Sequence, residues 1–208
     1  MESSLRGVRI AGSLLLAGGV VFMLLNTVAE GLYPDYSVAS NSLSELGYIG
    51  ANTSLFWNSQ LLLASVLLFL GMYVLFYRSQ FRQGAGRANL TGILFLILPV
   101  GAIIASLFQG NSALSVLHDI GSFMAFIFGG ISAIYAYKLT GAPFRHFSLV
   151  LGIITLVMIP VYIASPHNVP GSISGMLERL IVYPYFLWAI SFGGYLISSQ
   201  GGLSAGKN

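Results

Sequence analysis

The sequence predicts an all-α protein: an integral membrane bundle of six transmembrane helices with both termini cytoplasmic. Three observations carry that prediction. Of the 208 residues, 56% are hydrophobic and only 7% charged, whereas soluble domains carry about 25% charged residues. The apolar residues fall into six runs, each close to the ~20 residues that a helix needs to cross a hydrocarbon core. Finally, Arg6, Arg9, Arg78, Arg82, Arg87, Lys138, Arg145 and Lys207 all fall on one side of that map, and Arg179 alone of the nine basic residues does not. Basic residues gather in cytoplasmic loops, so this bias sets the orientation.

The first span, about residues 7–29, follows Arg6 and Arg9. Its apolar run is long and ends in Asn26 and Glu30. A cleaved signal peptide has a shorter core and a small-residue cleavage site, so an uncleaved helix is expected. Gly12, Gly18 and Gly19 give it a small-residue face for close packing. Residues 30–54 form the longest stretch that is not plainly apolar, with Glu30, Asp35 and Glu45 but no Lys or Arg. Tyr33, Tyr36, Leu43, Leu46, Tyr48 and Ile49 make it too apolar for a disordered linker, and an ordered outer loop packed on the bundle is expected.

Span 2 runs over about 55–77, with Trp57 and Tyr48 suited to one interface and Tyr73 and Tyr77 to the other. Arg78, Arg82 and Arg87, with Gly84 and Gly86, fill the next loop. Span 3, 88–108, contains Pro99, which removes a backbone donor and predicts a kink. Span 4, 114–137, opens with His118 and Asp119. Span 5, 147–164, contains Pro160 and leads to a loop carrying His167. Span 6, 173–198, opens with Glu178 and Arg179 and contains Pro184. The whole is one domain, residues 1–199, and the Gly/Ser-rich tail 200–208 reads as disordered.

Composition also excludes functions. With no cysteine, there are no disulfides, thiolate nucleophiles or Cys-ligated metals. The net charge of +3 reports orientation, so no nucleic-acid partner is implied; the partner is the lipid bilayer. Its location is a membrane crossed several times, with the cell (plasma) membrane expected.

The candidate ligand-binding residues are Glu45, His118, Asp119, His167, Glu178 and Arg179, all at one depth near the outer leaflet. Ionisable side chains in membrane segments face the bundle interior or a wet cavity, so a polar cup roofed by the first loop is expected. Each residue also has a structural reading. Ser42 and Glu45 fit an S-x-x-E capping box with Gly47 as a stop. His118 lies one turn from Ser122, which would satisfy it. Arg179 is expected to pair with Asp119 or to hold a lipid phosphate, and an anionic lipid is the partner this second role implies. His118 and His167 with one of Asp119, Glu45 or Glu178 form a candidate metal set, of the two-His-one-carboxylate kind that binds zinc, although no HExxH-type spacing supports it. Ser42 or Ser44 with His118 as base lacks any nucleophile-elbow motif. Asn52-Thr53-Ser54 is a glycosylation sequon.

The six spans, the Ser-x-Ser-Glu-Leu-Gly run of residues 42–47, a His early in span 4 and Glu-Arg early in span 6 resemble an uncharacterised membrane family, domain of unknown function 998. More remotely the chain is similar to the Frag/DRAM/Sfk-like six-span group, some members of which are linked to lipid-anchor remodelling and membrane lipid organisation. The first resemblance implies the fold and topology and brings no activity. The residues themselves point to a polytopic membrane protein that binds or modifies a lipid or small anionic ligand. The alternatives are a small transporter, disfavoured because no charge lies at mid-membrane, and a structural or sensory membrane subunit.

Overall fold

The computed structural model describes residues 2–78, 85–167, 169 and 171–198. The sequence expectations for Arg82, Gly84, Lys207 and the tail 200–208 lie outside the described residues. Six long helices account for most of the rest: α1 (Glu2–Leu32), α2 (Ser54–Tyr73), α3 (Ala85–Leu107), α4 (Ser115–Ala136), α5 (Phe144–Ala164) and α6 (Ser174–Ser198). All six contain a stretch long and apolar enough to cross a bilayer. A wide π-type turn, Val74–Arg78, extends α2. Pro99, Pro160 and Pro184 lie inside α3, α5 and α6 without ending them.

Each helix packs on its sequence neighbours, and α6 closes the ring against α1, with a smaller α4–α6 contact across it. Small residues set the closest approaches. A Cβ on Gly12 would sit 2.7 Å from the Gly193 carbonyl, and one on Gly101 would sit 2.6 Å from that of Gly121. These glycines therefore let α1 meet α6, and α3 meet α4, backbone to backbone. In a bilayer such contact is a main source of helix association, because lipid tails already solvate apolar side chains. Gly18 and Gly19 serve α1 in the same way, against Ala64 and Phe186.

The core hangs on α6. Trp188, Phe186 and Phe192 are fully buried, Phe186 stacks on Phe22 at 3.7 Å, and Trp188 lies 5.9 Å from Phe95. The ring's outer surface is apolar: Leu24, Leu63, Ile93, Val150 and Val157 are all exposed. An exposed shell of this kind is suited to lipid contact, with the backbone donors paired inside each helix.

The connections 33–53 and 108–114 share one end of the bundle, here the loop end, with residues 165–167, 169 and 171–173 of the third. Ile49 and Asn111 join the first two through backbone N–H to Oδ1 at 2.8 Å. Ser174 Oγ donates to the Ser40 carbonyl at 3.2 Å, tying the first loop to α6. Helix α1 runs past its expected end at residue 29, which places Glu30 in its last turn. Likewise Gly86 and Arg87, expected in a loop, fall in α3.

Candidate functional site

The loop end is built by the first turns of α6 gripping residues 36–43. Gly175 makes room for this, because a Cβ there would collide with the Asn41 carbonyl. With that space open, Met176 N–H donates to the Ala39 carbonyl at 3.1 Å, satisfying one of the donors every helix start leaves free. Arg179 Nη1 donates to the carbonyls of Val38, Asn41 and Gly175 at 3.1, 3.0 and 2.8 Å. The neighbouring Glu178 accepts the Leu43 N–H at 2.6 Å. Adjacent helical residues point about 100° apart, and here the loop is long enough to reach both.

Arg179 differs from its expected role. Its ion-pair partner is Glu30, with Nη2 to Oε1 at 2.8 Å and both side chains largely buried. Asp119, the expected partner, is exposed and lies elsewhere on the site. Nε also donates to Glu30, at 3.2 Å, and Nη2 donates to the Tyr36 hydroxyl. The guanidinium's five N–H groups thus all face protein acceptors. Glu30 Oε1 further accepts from Asn26 Nδ2 at 2.9 Å, and Asn26 Oδ1 accepts from Trp57 Nε1 at 3.1 Å. One buried chain of bonds therefore runs from α2 through α1 to α6 and the loop. Burial pushes the Tyr36 hydroxyl above the ordinary phenol range, so it stays protonated and donates onward to the Ser42 carbonyl at 3.0 Å.

Glu45 is held inside the loop. Its Oε1 accepts the Ser42 N–H at 2.9 Å and its Oε2 accepts from Asn41 Nδ2. This is the carboxylate half of a capping box, heading the short 3-10 turn Ser44–Gly47. Gly47 does more than end that turn, since a Cβ there would sit 2.5 Å from the Trp57 ring.

His118 is buried, and Ser122 is not what satisfies it. Its Nδ1 lies 2.9 Å from the Ala105 carbonyl and 2.8 Å from that of Phe108. Two carbonyl acceptors require Nδ1 to carry the proton and donate. Nε2 makes no hydrogen bond among the described residues and lies on the Gly110 side of the ring.

Two adjoining cavities lie beneath the loop. The polar one, about 210 Å³, is lined by Glu45, His118, Asp119, His167 and Glu178, with Ser42, Ser44, Ser122, Ser174 and the aromatic rings of Tyr48, Phe123, Phe126 and Tyr162. The apolar one, about 40 Å³, continues inward among Phe22, Leu43, Trp57, Leu61, Ala102 and Val182. Ser44, His118, Ser122, Phe126 and Glu178 line both. The structure thus gathers five of the six sequence candidates around one space and leaves Arg179 outside it. Sequence reasoning missed Ser122, Tyr48 and Tyr162 as wall residues. It also missed Glu30, although its i, i+4 spacing from Asn26 would have placed both on one helix face.

The candidate zinc set does not assemble. Among the described residues no three His, Asp or Glu side chains converge as metal ligands. His167 instead packs edge-on against Tyr162 at 4.7 Å, and His118 and Asp119 diverge on α4 as adjacent helical residues must.

No curated protein and no solved structure matches this chain significantly. A family signature does match, over residues 16–195. That span begins inside α1, ends inside α6 and holds every residue of the cavity. The chain, a multi-pass membrane protein, therefore belongs to the family described as Protein of unknown function (DUF998).

Proposed function

We propose that this protein binds the polar head of a membrane amphiphile in the cavity beneath its first loop. The observation that carries this reading is Phe123. It lines the polar cavity and is also 37% exposed on a helix apolar enough to span the bilayer. The wall of the polar chamber is thus also part of the lipid-facing surface, with Ile120 and Ile127 exposed beside it. A head group can occupy the polar chamber while its tail stays in the leaflet. The small apolar chamber takes at most a short branch, since about 40 Å³ is room for a few water-sized groups.

An anionic head, expected from the sequence, is disfavoured. That expectation needed a free Arg179 fork, and the fork is consumed by Glu30, Tyr36, the loop carbonyls of Val38 and Asn41 and the Gly175 carbonyl of α6. The loop end faces outward in this reading, which the bias of basic residues to the opposite end supports, and the cell membrane is the proposed location.

Native mass spectrometry of the detergent-purified chain tests the reading. A retained amphiphile is expected in the wild type and its loss in Ser122→Phe, whose ring would fill the junction of the two chambers. Equal retention in both proteins would overturn it.

A further inference from the structure

The cavity wall has a chemical polarity of its own. No Lys or Arg lines it among the described residues, while Asp119, Glu178 and Glu45 do. Glu45 is already satisfied within the loop. Asp119 has no hydrogen-bond partner among the described residues, and Glu178 uses Oε2 on Leu43. His118, a side chain only 6% exposed, turns an unbonded Nε2 to this region. Its Nδ1 is committed as donor to two carbonyls, so neutral His118 offers Nε2 as an acceptor. The free groups on the wall thus include two carboxyl groups and the Nε2 acceptor, beside hydroxyls such as those of Ser122 and Tyr162 that can donate or accept.

Four aromatic rings complete the lining: Tyr48, Phe123, Phe126 and Tyr162. Burial raises the Tyr48 hydroxyl above the ordinary phenol range, and Glu45 adds to that. Tyr48 is thus a neutral ring whose face carries the negative end of its quadrupole. Carboxylates together with aromatic faces attract a cation, and desolvation strengthens the attraction. Glu178 is also buried with Oε1 free of any hydrogen bond among the described residues, so a donor reaching it from the cavity would satisfy that oxygen.

From this juxtaposition of acceptors and aromatic rings, we infer that the ligand group held in the polar chamber is a protonated amine. The inference rests on the amphiphile-binding reading and names its head-group chemistry. The amine donates to Asp119, Glu178 and His118 Nε2 while the rings flank it. An amphiphile with a cationic head and a free small amine share this chemistry.

The test uses the full chain in a neutral maltoside at pH 7, titrated calorimetrically with dodecylamine, dodecanol, dodecanoate and butylamine. Dodecylamine is expected to bind at least about tenfold tighter than dodecanol, and dodecanoate weaker than either; tenfold is about 1.4 kcal/mol. Asp119→Asn, at an exposed position that leaves folding intact, and the isosteric Glu178→Gln, which can still accept the Leu43 N–H, should each cut amine affinity several-fold and spare dodecanol. Butylamine binding as tightly as dodecylamine assigns the site to free amines and overturns the amphiphile reading, with the amine inference intact. Weaker butylamine binding assigns it to membrane amphiphiles. Equal binding of amine, alcohol and acid, or a preference for the acid, overturns the amine inference and leaves the amphiphile reading standing. An amine preference that survives in both carboxamide variants belongs to the micelle and also overturns the inference. Failure of every probe to bind removes both.

Discussion

Arg179 shows what a single side chain contributes here. It is placed against the charge bias of the chain, and such a guanidinium in a membrane helix must be paired or hydrated. Glu30, Tyr36 and the loop carbonyls supply the pairing, and the ring of Tyr36 lies 5.5 Å from the guanidinium carbon. Breaking a buried pair by removing one partner costs about 3–5 kcal/mol, chiefly because the other charge is left alone. Arg179→Ala is therefore expected to lose stability on that order, measured by thermal or denaturant unfolding in detergent. A double-mutant cycle with Glu30→Ala should recover much of the loss. The same cycle with Asp119→Ala should be additive, since the two residues share no partner. Coupling to Asp119 and none to Glu30 would contradict the geometry. At His118 the prediction concerns helix ends. His118→Phe keeps an aromatic ring but leaves the Ala105 and Phe108 carbonyls without their donor, which should cost about 1–3 kcal/mol.

At the scale of elements, the contact that matters is the first loop on α6. Leu43 and Leu46 are buried, and the backbone of residues 38–43 is bonded to α6 by Met176, Glu178 and Arg179. Gly175 is the gap that lets the loop descend. Gly175→Ala would push a methyl into the Asn41 carbonyl, and overpacking of this kind costs about 1–3 kcal/mol. The expected result is faster protease cleavage between Asp35 and Leu46, with the six helices still intact by circular dichroism. Unchanged cleavage would mean that the loop does not depend on that approach. Glycine at 12 and 193 does the equivalent work between α1 and α6. Gly193→Val would strike the Gly12 carbonyl and Leu16 and should open the ring where its last helix meets its first.

For the whole molecule, the closed ring puts three connections at one end and, among the described residues, every basic residue except Arg179 at the other. Arg6 and Arg9 start α1, Lys138 follows α4 and Arg145 starts α5. With no native cysteine in the chain, single cysteines report sidedness without background. Ser37→Cys is expected to react with an impermeant maleimide from outside intact cells, and Lys138→Cys only after lysis. The reverse pattern would invert the proposed orientation and place the cavity at the cytoplasmic leaflet.

The sequence by itself determined the number of helices, their approximate bounds and the depth at which polar residues gather. These follow from local facts: twenty apolar residues must span, and a charge in such a run must find company near an interface. The same local facts brought Glu45, His118, Asp119, His167 and Glu178 to attention, and the fold places them around one cavity. The tertiary structure alone decided the partners. Glu30 was read as a loop residue, because a helix end is blurred wherever an apolar run fades into polar residues; one more turn of α1 carries it to Arg179. The depth match between Asp119 and Arg179 was legible, but which helices adjoin was not, and α1 rather than α4 lies beside that face of α6. Whether Arg179 had donors to spare for a ligand depended on carbonyls of residues 38–41, and a backbone carbonyl leaves no mark in the identity of its residue. Sequence places charges by depth, and packing decides which of them meet, because contact depends on the rotation of each helix about its own axis.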